Sequence, residues 1–166
     1  CSSLTEITFS ENLERIEGRA FSGCSGLTGA IPSGLFAGIY GAPAESMFSY
    51  TFSGCSGLTG EIPAGLFADI SGVPVYGMFN RTFAGCSGLT GEIPDDLFGD
   101  ISGDAQTYMF SSTFSGCRGL SGDSAKINGK YLYEIWPDNS ACAGMYYNAI
   151  GLTDYANMPS IYTRKF

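Results

Sequence analysis

A 31-residue self-repeat constrains this chain more than any other feature. The segment FSGCSGLTGAIPSGLFAGIYGAPAESMFSYT from Phe21 returns as FSGCSGLTGEIPAGLFADISGVPVYGMFNRT from Phe52 and as FAGCSGLTGEIPDDLFGDISGDAQTYMFSST from Phe83. It degenerates after FSGCRGLSGD from Phe114. The opening is a shorter version of the unit: IEGRAFSGC from Ile16 parallels MFSYTFSGC from Met47, and the later units carry about eight extra residues before the Met. The leucines that start each unit are Leu4, Leu27, Leu58, Leu89, Leu120 and a divergent Leu152. A fixed period of this length is the signature of a repeat architecture, in which one unit buries its apolar face only against its neighbours.

A single unit cannot stand alone. In the second unit the apolar positions are Phe52, Cys55, Leu58, Ile62, Leu66, Phe67, Ile70, Met78 and Phe79. Each is worth about 1.5–3 kcal/mol when buried, against about 1–2 kcal/mol of backbone entropy for every residue ordered. Stacking on neighbours, with backbone hydrogen bonds between units, closes that gap. Within the unit, LTGEIP reads as a short strand, with Leu58 and Ile62 on one face and Thr59 and Glu61 on the other. AGLFADI after Pro63 reads as a turn or two of helix or 3-10 structure. One strand per unit predicts a parallel sheet.

At 166 residues the chain is one domain's worth. Charged residues at 14% and the apolar content argue against disorder, and 24 glycines point to many regularly placed turns. The net charge of -8 lacks the positive footprint of a nucleic-acid or anionic-membrane surface. No apolar run approaches the roughly 20 residues needed to span a bilayer. The sequence begins at Cys1, already in repeat register, which suggests a piece of a longer protein; a lipoprotein's mature N-terminus is the alternative reading. An open edge at that end predicts end-to-end pairing with another copy.

The spacing Cys1, Leu4, Ile7, Leu13, Ile16, Ala20, Phe21, Cys24, Leu27 resembles the BspA-like, Treponema pallidum-type leucine-rich repeat, whose units run C-x-x-L-x-x-I and end in A-F-x-x-C. The resemblance covers residues 1–123; LTGxIP in the longer units also resembles the plant-type leucine-rich repeat. It implies a β-rich α/β fold, a right-handed solenoid with a parallel β-sheet. It further implies a bacterial or protist cell-surface or secreted protein that acts in adhesion, binding a host protein, matrix component or glycan without catalysis or cofactor. Residues 124–166, with Trp136 and a run of tyrosines, read as a divergent last coil and C-terminal cap of the same domain.

Six cysteines in an extracellular chain invite a disulfide framework. The period favours another reading. Cys24, Cys55, Cys86 and Cys117 occupy one column, where parallel side chains at a spacing of about 4.8 Å suit a buried thiol ladder better than a bond wanting Cβ atoms about 3.8 Å apart. Cys142 lies outside the ladder and has no assigned place. With no histidine and no Cys-x-x-Cys pair, a zinc site has no ligand set.

Exposed columns supply the candidate binding residues. Thr5, Thr28, Thr59, Thr90, Ser121 and Thr153 form a hydroxyl row. Beside it run Glu61, Glu92 and Asp123, and a second acidic column, Asp69 and Asp100, joined by Asp95, Asp96 and Asp104. Stacked like charges repel and must be screened by water, a cation or a basic partner, although no D-x-D-x-D-G calcium loop is present. Columns that change between near-copied units mark variable loops, and in them Tyr76, Tyr108 and Arg81 are the residue types that dominate interface energies. Asn80-Arg81-Thr82 is a glycosylation sequon. The competing reading is a structural spacer that presents another domain. Catalysis has the least support, with no histidine for acid–base work and no phosphate-binding glycine loop followed by Lys.

Overall fold

A computed structural model describes residues 3–7, 15–95 and 97–166. Cys1, Leu13 and Asp96, each assigned a place above, lie outside the described residues.

The backbone of each unit is dominated by tight turns. Between Ala44 and Cys55 alternate amides close turns on the carbonyl three residues back: Met47 on Ala44, Ser49 on Ser46, Thr51 on Phe48, Ser53 on Tyr50 and Cys55 on Phe52. The intervening amides point to the next unit: Ser46 donates to Tyr76, Phe48 to Met78, Tyr50 to Asn80, Phe52 to Thr82 and Gly54 to Ala84, at 2.7–3.0 Å. The same scheme joins the third unit to the C-terminal region, Phe110 to Ala141 and Phe114 to Met145. Every second peptide group is thus satisfied locally and its neighbour across units, and no long strand is needed.

The expected right-handed solenoid around a continuous parallel sheet is corrected by this pattern. The described strands are two residues long and fall in three separate two-stranded sheets. β1 (Ser71–Gly72) pairs in parallel with β3 (Asp100–Ile101), and β2 (Gly91–Glu92) pairs in parallel with β4 (Leu120–Ser121). β5 (Lys126–Ile127) pairs antiparallel with β6 (Lys130–Tyr131). Gly29–Leu58, Gly41–Ile70 and Gly60–Leu89 are isolated parallel bridges. Neither a solenoid nor a closed sheet is found among the described residues. Inside LTGEIP, Gly60 and Gly91 take φ of +78° and +79°, a left-handed conformation that interrupts the extended run, so that pairing is confined to a bridge at Gly60 and to the two residues of β2 that begin at Gly91. The AGLFADI segment is likewise a series of turns, Leu66 on Pro63, Ala68 on Gly65 and Ile70 on Phe67, in place of helix.

The core is continuous through these units and into the C-terminal region. Phe21, Phe52, Phe83, Phe114 and Tyr146 stack face to face at centroid spacings of 5.5–5.7 Å. A second column, Phe48, Phe79 and Phe110, stacks at 5.7 and 5.6 Å and is covered by Trp136 at 5.9 Å. Offset rings at this spacing add about 0.5–1.5 kcal/mol per pair beyond area burial. Thr82 and Thr113, fully buried, donate their hydroxyls to the carbonyls of Phe48 and Phe79, both at 2.9 Å.

The cysteines are free and buried among the described residues. The thiols of Cys55, Cys86 and Cys117 donate to the carbonyls of Phe21, Phe52 and Phe83 at 3.1, 3.0 and 3.0 Å. Burial pushes the Cys55 thiol up to about 11 and Cys117 to about 12. Cys142, unplaced by the repeat, lies in a 3-10 turn at Ser140–Cys142, pushed up to about 12 by burial beside the Tyr162 hydroxyl.

The C-terminal region closes the layered units. After β6 come α1 (Leu132–Ile135), two 3-10 turns (Ser140–Cys142 and Tyr155–Asn157) and α2 (Ser160–Thr163). Gly144 and Tyr146 donate to the carbonyls of Ile161 and Tyr162, and Tyr162 stacks on Tyr146 at 6.2 Å. No helix among the described residues is long and apolar enough to cross a membrane.

Gly88 packs where its unit meets the preceding one, and a β-carbon there would run into the Leu58 carbonyl oxygen. Gly88→Ala is therefore expected to lose about 1–3 kcal/mol, the usual cost of overpacking, measured by urea unfolding. A thiol reagent at pH 8 is expected to leave Cys55, Cys86, Cys117 and Cys142 unmodified until denaturant is added. Prompt reaction of the native protein would contradict the burial described.

Candidate binding surfaces

The first acidic column follows the left-handed glycines: Gly60, Gly91 and Gly122 precede Glu61, Glu92 and Asp123. Because the chain has just turned, the glutamates lean along the units. The Glu61 side chain lies across the Cα of Gly91, and Glu92 across Gly122, in space that a β-carbon at either glycine would occupy. Glu61, Glu92, Asp95 and Asp123 line one groove, with Lys126 and Thr153 at its C-terminal end.

Asp123 does not share the situation of the two glutamates. Its Oδ1 accepts from the Thr153 hydroxyl at 2.7 Å, and its Oδ2 accepts from the Tyr131 hydroxyl at 2.7 Å and from Lys126 Nζ at 3.0 Å. The hydrogen bond from Thr153, then those from Tyr131 and Lys126, pull the carboxyl down to about 2. Lys126 also approaches Asp95 Oδ1 at 3.8 Å and lies 4.9 Å from the Tyr131 ring centroid. Hydrogen bonding to Asp123 raises its ammonium. The last acid of the column is thus neutralised by the chain itself and fastens β5, β6 and Thr153 to the segment that follows β4.

The second column is not gathered into this groove. Asp69 and Asp100 are both exposed. Asp100 lies in β3 and lines a shallow depression with Asp95 and Asn128, while the Asp69 carbonyl accepts from the Gly41 amide. No group of three or more His, Cys, Asp or Glu among the described residues is arranged to hold a metal ion.

The variable loops do bring two predicted residues together. Tyr76 and Tyr108 meet edge to face, centroids 5.8 Å apart at 88°, and remain 47% and 46% exposed. Tyr108 takes φ +58° where the preceding units have Ser46 at +55° and Gly77 at +60°, so a large ring is held at a left-handed position. Tyr40 and Val73 are more exposed still, at 77% and 72%. Arg81 joins a different group. Its guanidinium lies 5.7 Å from the Tyr50 ring centroid, and Arg19 approaches the same ring at 5.0 Å. At the Asn80 sequon the Thr82 hydroxyl is committed to the Phe48 carbonyl and the Asn80 Oδ1 is buried without a hydrogen-bond partner.

Three sets of residues were not singled out by the sequence reading. Tyr50 falls in the variable column of Arg81, and extending that column one period toward the N-terminus finds Arg19. Lys126 and Tyr131 lie beyond the last clear repeat and carry no periodic signal. Asp154 is also beyond it: its carboxylate is buried, accepting from the Ser124 amide at 3.1 Å and the Ser124 hydroxyl at 2.6 Å. The Tyr133 hydroxyl is raised by burial and then by the neighbouring Asp154 carboxylate. These groups hold the C-terminal region together.

The depressed Asp123 carboxyl gives a pH signature. Its unfolded value is about 3.9, so its contribution is complete above that pH and is lost as pH falls through its folded value of about 2. Urea midpoints are expected to drop less between pH 4.5 and 2.5 for Asp123→Asn than for the parent, and equal drops would show that the triple hydrogen bond contributes nothing. Comparison with family models, with curated proteins and with solved structures finds no match.

Proposed function

We propose that this chain is a non-enzymatic binding module, cell-surface or secreted, that engages a host protein, a matrix component or a glycan through its variable loops. The observation that carries this reading is a contrast within near-identical units. Buried positions repeat almost without change, from the phenylalanine columns to the thiols and threonines. The exposed large apolar side chains Tyr40, Val73, Tyr76 and Tyr108 do not repeat. Exposed aromatics are costly to leave in water and concentrate at recognition surfaces, where they supply contact area with few rotatable bonds.

The disposition of polar groups supports binding over chemistry. Asp123 and Asp154 are committed to holding the C-terminal region, the thiols are buried, and Glu61 and Glu92 repeat along an exposed groove. The resemblance of the first 123 residues to BspA-like surface proteins favours the same reading and a location outside the cell.

Glycan-array and matrix-protein screens of the parent, followed by titration of any ligand against a Tyr76→Ala/Tyr108→Ala variant, test this. Saturable binding is expected, weakened at least tenfold in the variant at unchanged melting temperature. Absence of any saturable ligand in both screens would favour a spacer.

A further inference from the structure

The Arg19, Tyr50 and Arg81 side chains stand in one column of successive units, and the two guanidiniums lie 5.0 and 5.7 Å from the shared tyrosine ring centroid. Two features set this column apart from ordinary surface contacts. The first is backbone conformation. Arg19, Tyr50 and Arg81 adopt φ of +71°, +56° and +55°, and four residues further on the left-handed conformation recurs at Gly23, Gly54 and Gly85 with φ of +71°, +77° and +77°. Glycine occupies the second column every time, whereas the first keeps bulky side chains at Arg19, Tyr50 and Arg81, where they strain the backbone, and ends in the small, buried Ser112 at φ +55°. Strain retained beside a glycine solution indicates that the side chains themselves are needed.

The second feature is charge. The chain has 16 acidic residues against 8 basic ones, so a surface arginine has many carboxylates to choose from. The ion pairs among the described residues involve Arg15 and Lys126. Arg19 and Arg81 have no carboxylate within pairing distance among the described residues, and both are held upright by the ring between them. Guanidiniums stacked on a ring and kept apart from internal acids, Arg19 exposed and Arg81 partly so, suit an external oxyanion.

We infer that this column is a subsite for an acidic glycan whose sulfate or carboxylate groups are taken by Arg19 and Arg81, with the Tyr50 hydroxyl between them. The order cation, hydroxyl, cation along successive units matches a polymer that carries sulfate or carboxylate groups spaced along hydroxyl-bearing sugar rings. An acidic peptide offers the anions without the intervening hydroxyl-bearing ring. The inference rests on the binding reading above and names the ligand for a second surface, separate from Tyr76 and Tyr108.

The test titrates the whole chain at low salt with a heparin hexasaccharide, following the arginine side-chain NMR signals, with neutral dextran, inorganic sulfate and a polyglutamate peptide as comparison arms. Saturable shifts at Arg19 and Arg81 but not at the exposed Arg118, with affinity lowered at least tenfold in Arg19→Gly/Arg81→Gly and less than twofold in Arg118→Ala, are expected. Because glycine relieves the left-handed strain, the double variant should melt no lower than the parent; should it unfold, Arg81→Lys, which keeps the charge and loses the fork, is expected to show intermediate affinity. Equal binding of polyglutamate, equal loss in Arg118→Ala, or no site-specific shift with heparin would overturn the inference. Heparin binding lost in the arginine variants and kept in Tyr76→Ala/Tyr108→Ala would separate this subsite from the tyrosine surface.

Discussion

Everything in this molecule hangs on the alternation of peptide groups in the turn-rich half of each unit. One amide closes a turn and the next donates to the following unit, from Ser46 through Gly54. That two-residue rhythm fixes the separation of neighbouring units, and the side chains inherit it. Phenylalanines one period apart come to stacking distance, thiols reach the carbonyls of the preceding unit, and buried threonines find acceptors in the same way. Thr51 shows what happens at the margin: its hydroxyl is buried without a partner, whereas Thr82 and Thr113 in the same column each have one.

What the sequence made legible follows from the same rhythm. Column membership, and with it the buried core from Cys24 to Leu120, could be read from the period, because a residue that recurs every 31 positions meets its own copy. The local conformation could not. Alternating apolar residues in LTGEIP satisfy a strand pattern, but a glycine at φ near +78° in their midst is invisible to periodicity and keeps the extended run to one or two paired residues. The continuous sheet was therefore an overextension of a correct repeat. The C-terminal region was less legible still, since Asp123, Lys126, Tyr131 and Asp154 are joined by hydrogen bonds between side chains that appear only once in the sequence.

The candidate surfaces divide by how the chain treats its charges. Acids of the first column are left along an open groove until Asp123, where hydroxyls and an ammonium from the C-terminal region take up the carboxylate. Arginines at left-handed positions are set over a tyrosine instead of a carboxylate. Such separation of sign in a chain of net charge -8 keeps a local cationic face from being cancelled by its surroundings.

The direction of the bonds between units has an electrical consequence. In the turn-rich half of each unit, from Arg19 to Gly116, the donating amides point toward the C-terminal neighbour, whereas Thr59, Ser71, Thr90 and Ser102 elsewhere in the units donate back to the preceding one. Peptide dipoles so aligned add, as they do in a helix, but with the opposite sense: the partial positive pole faces the C-terminal region and the partial negative pole faces Arg19. The turn-rich face therefore carries a net dipole that the opposed bonds of the other face partly offset, and a charged group beside that face would meet a field whose sign depends on which end it approaches.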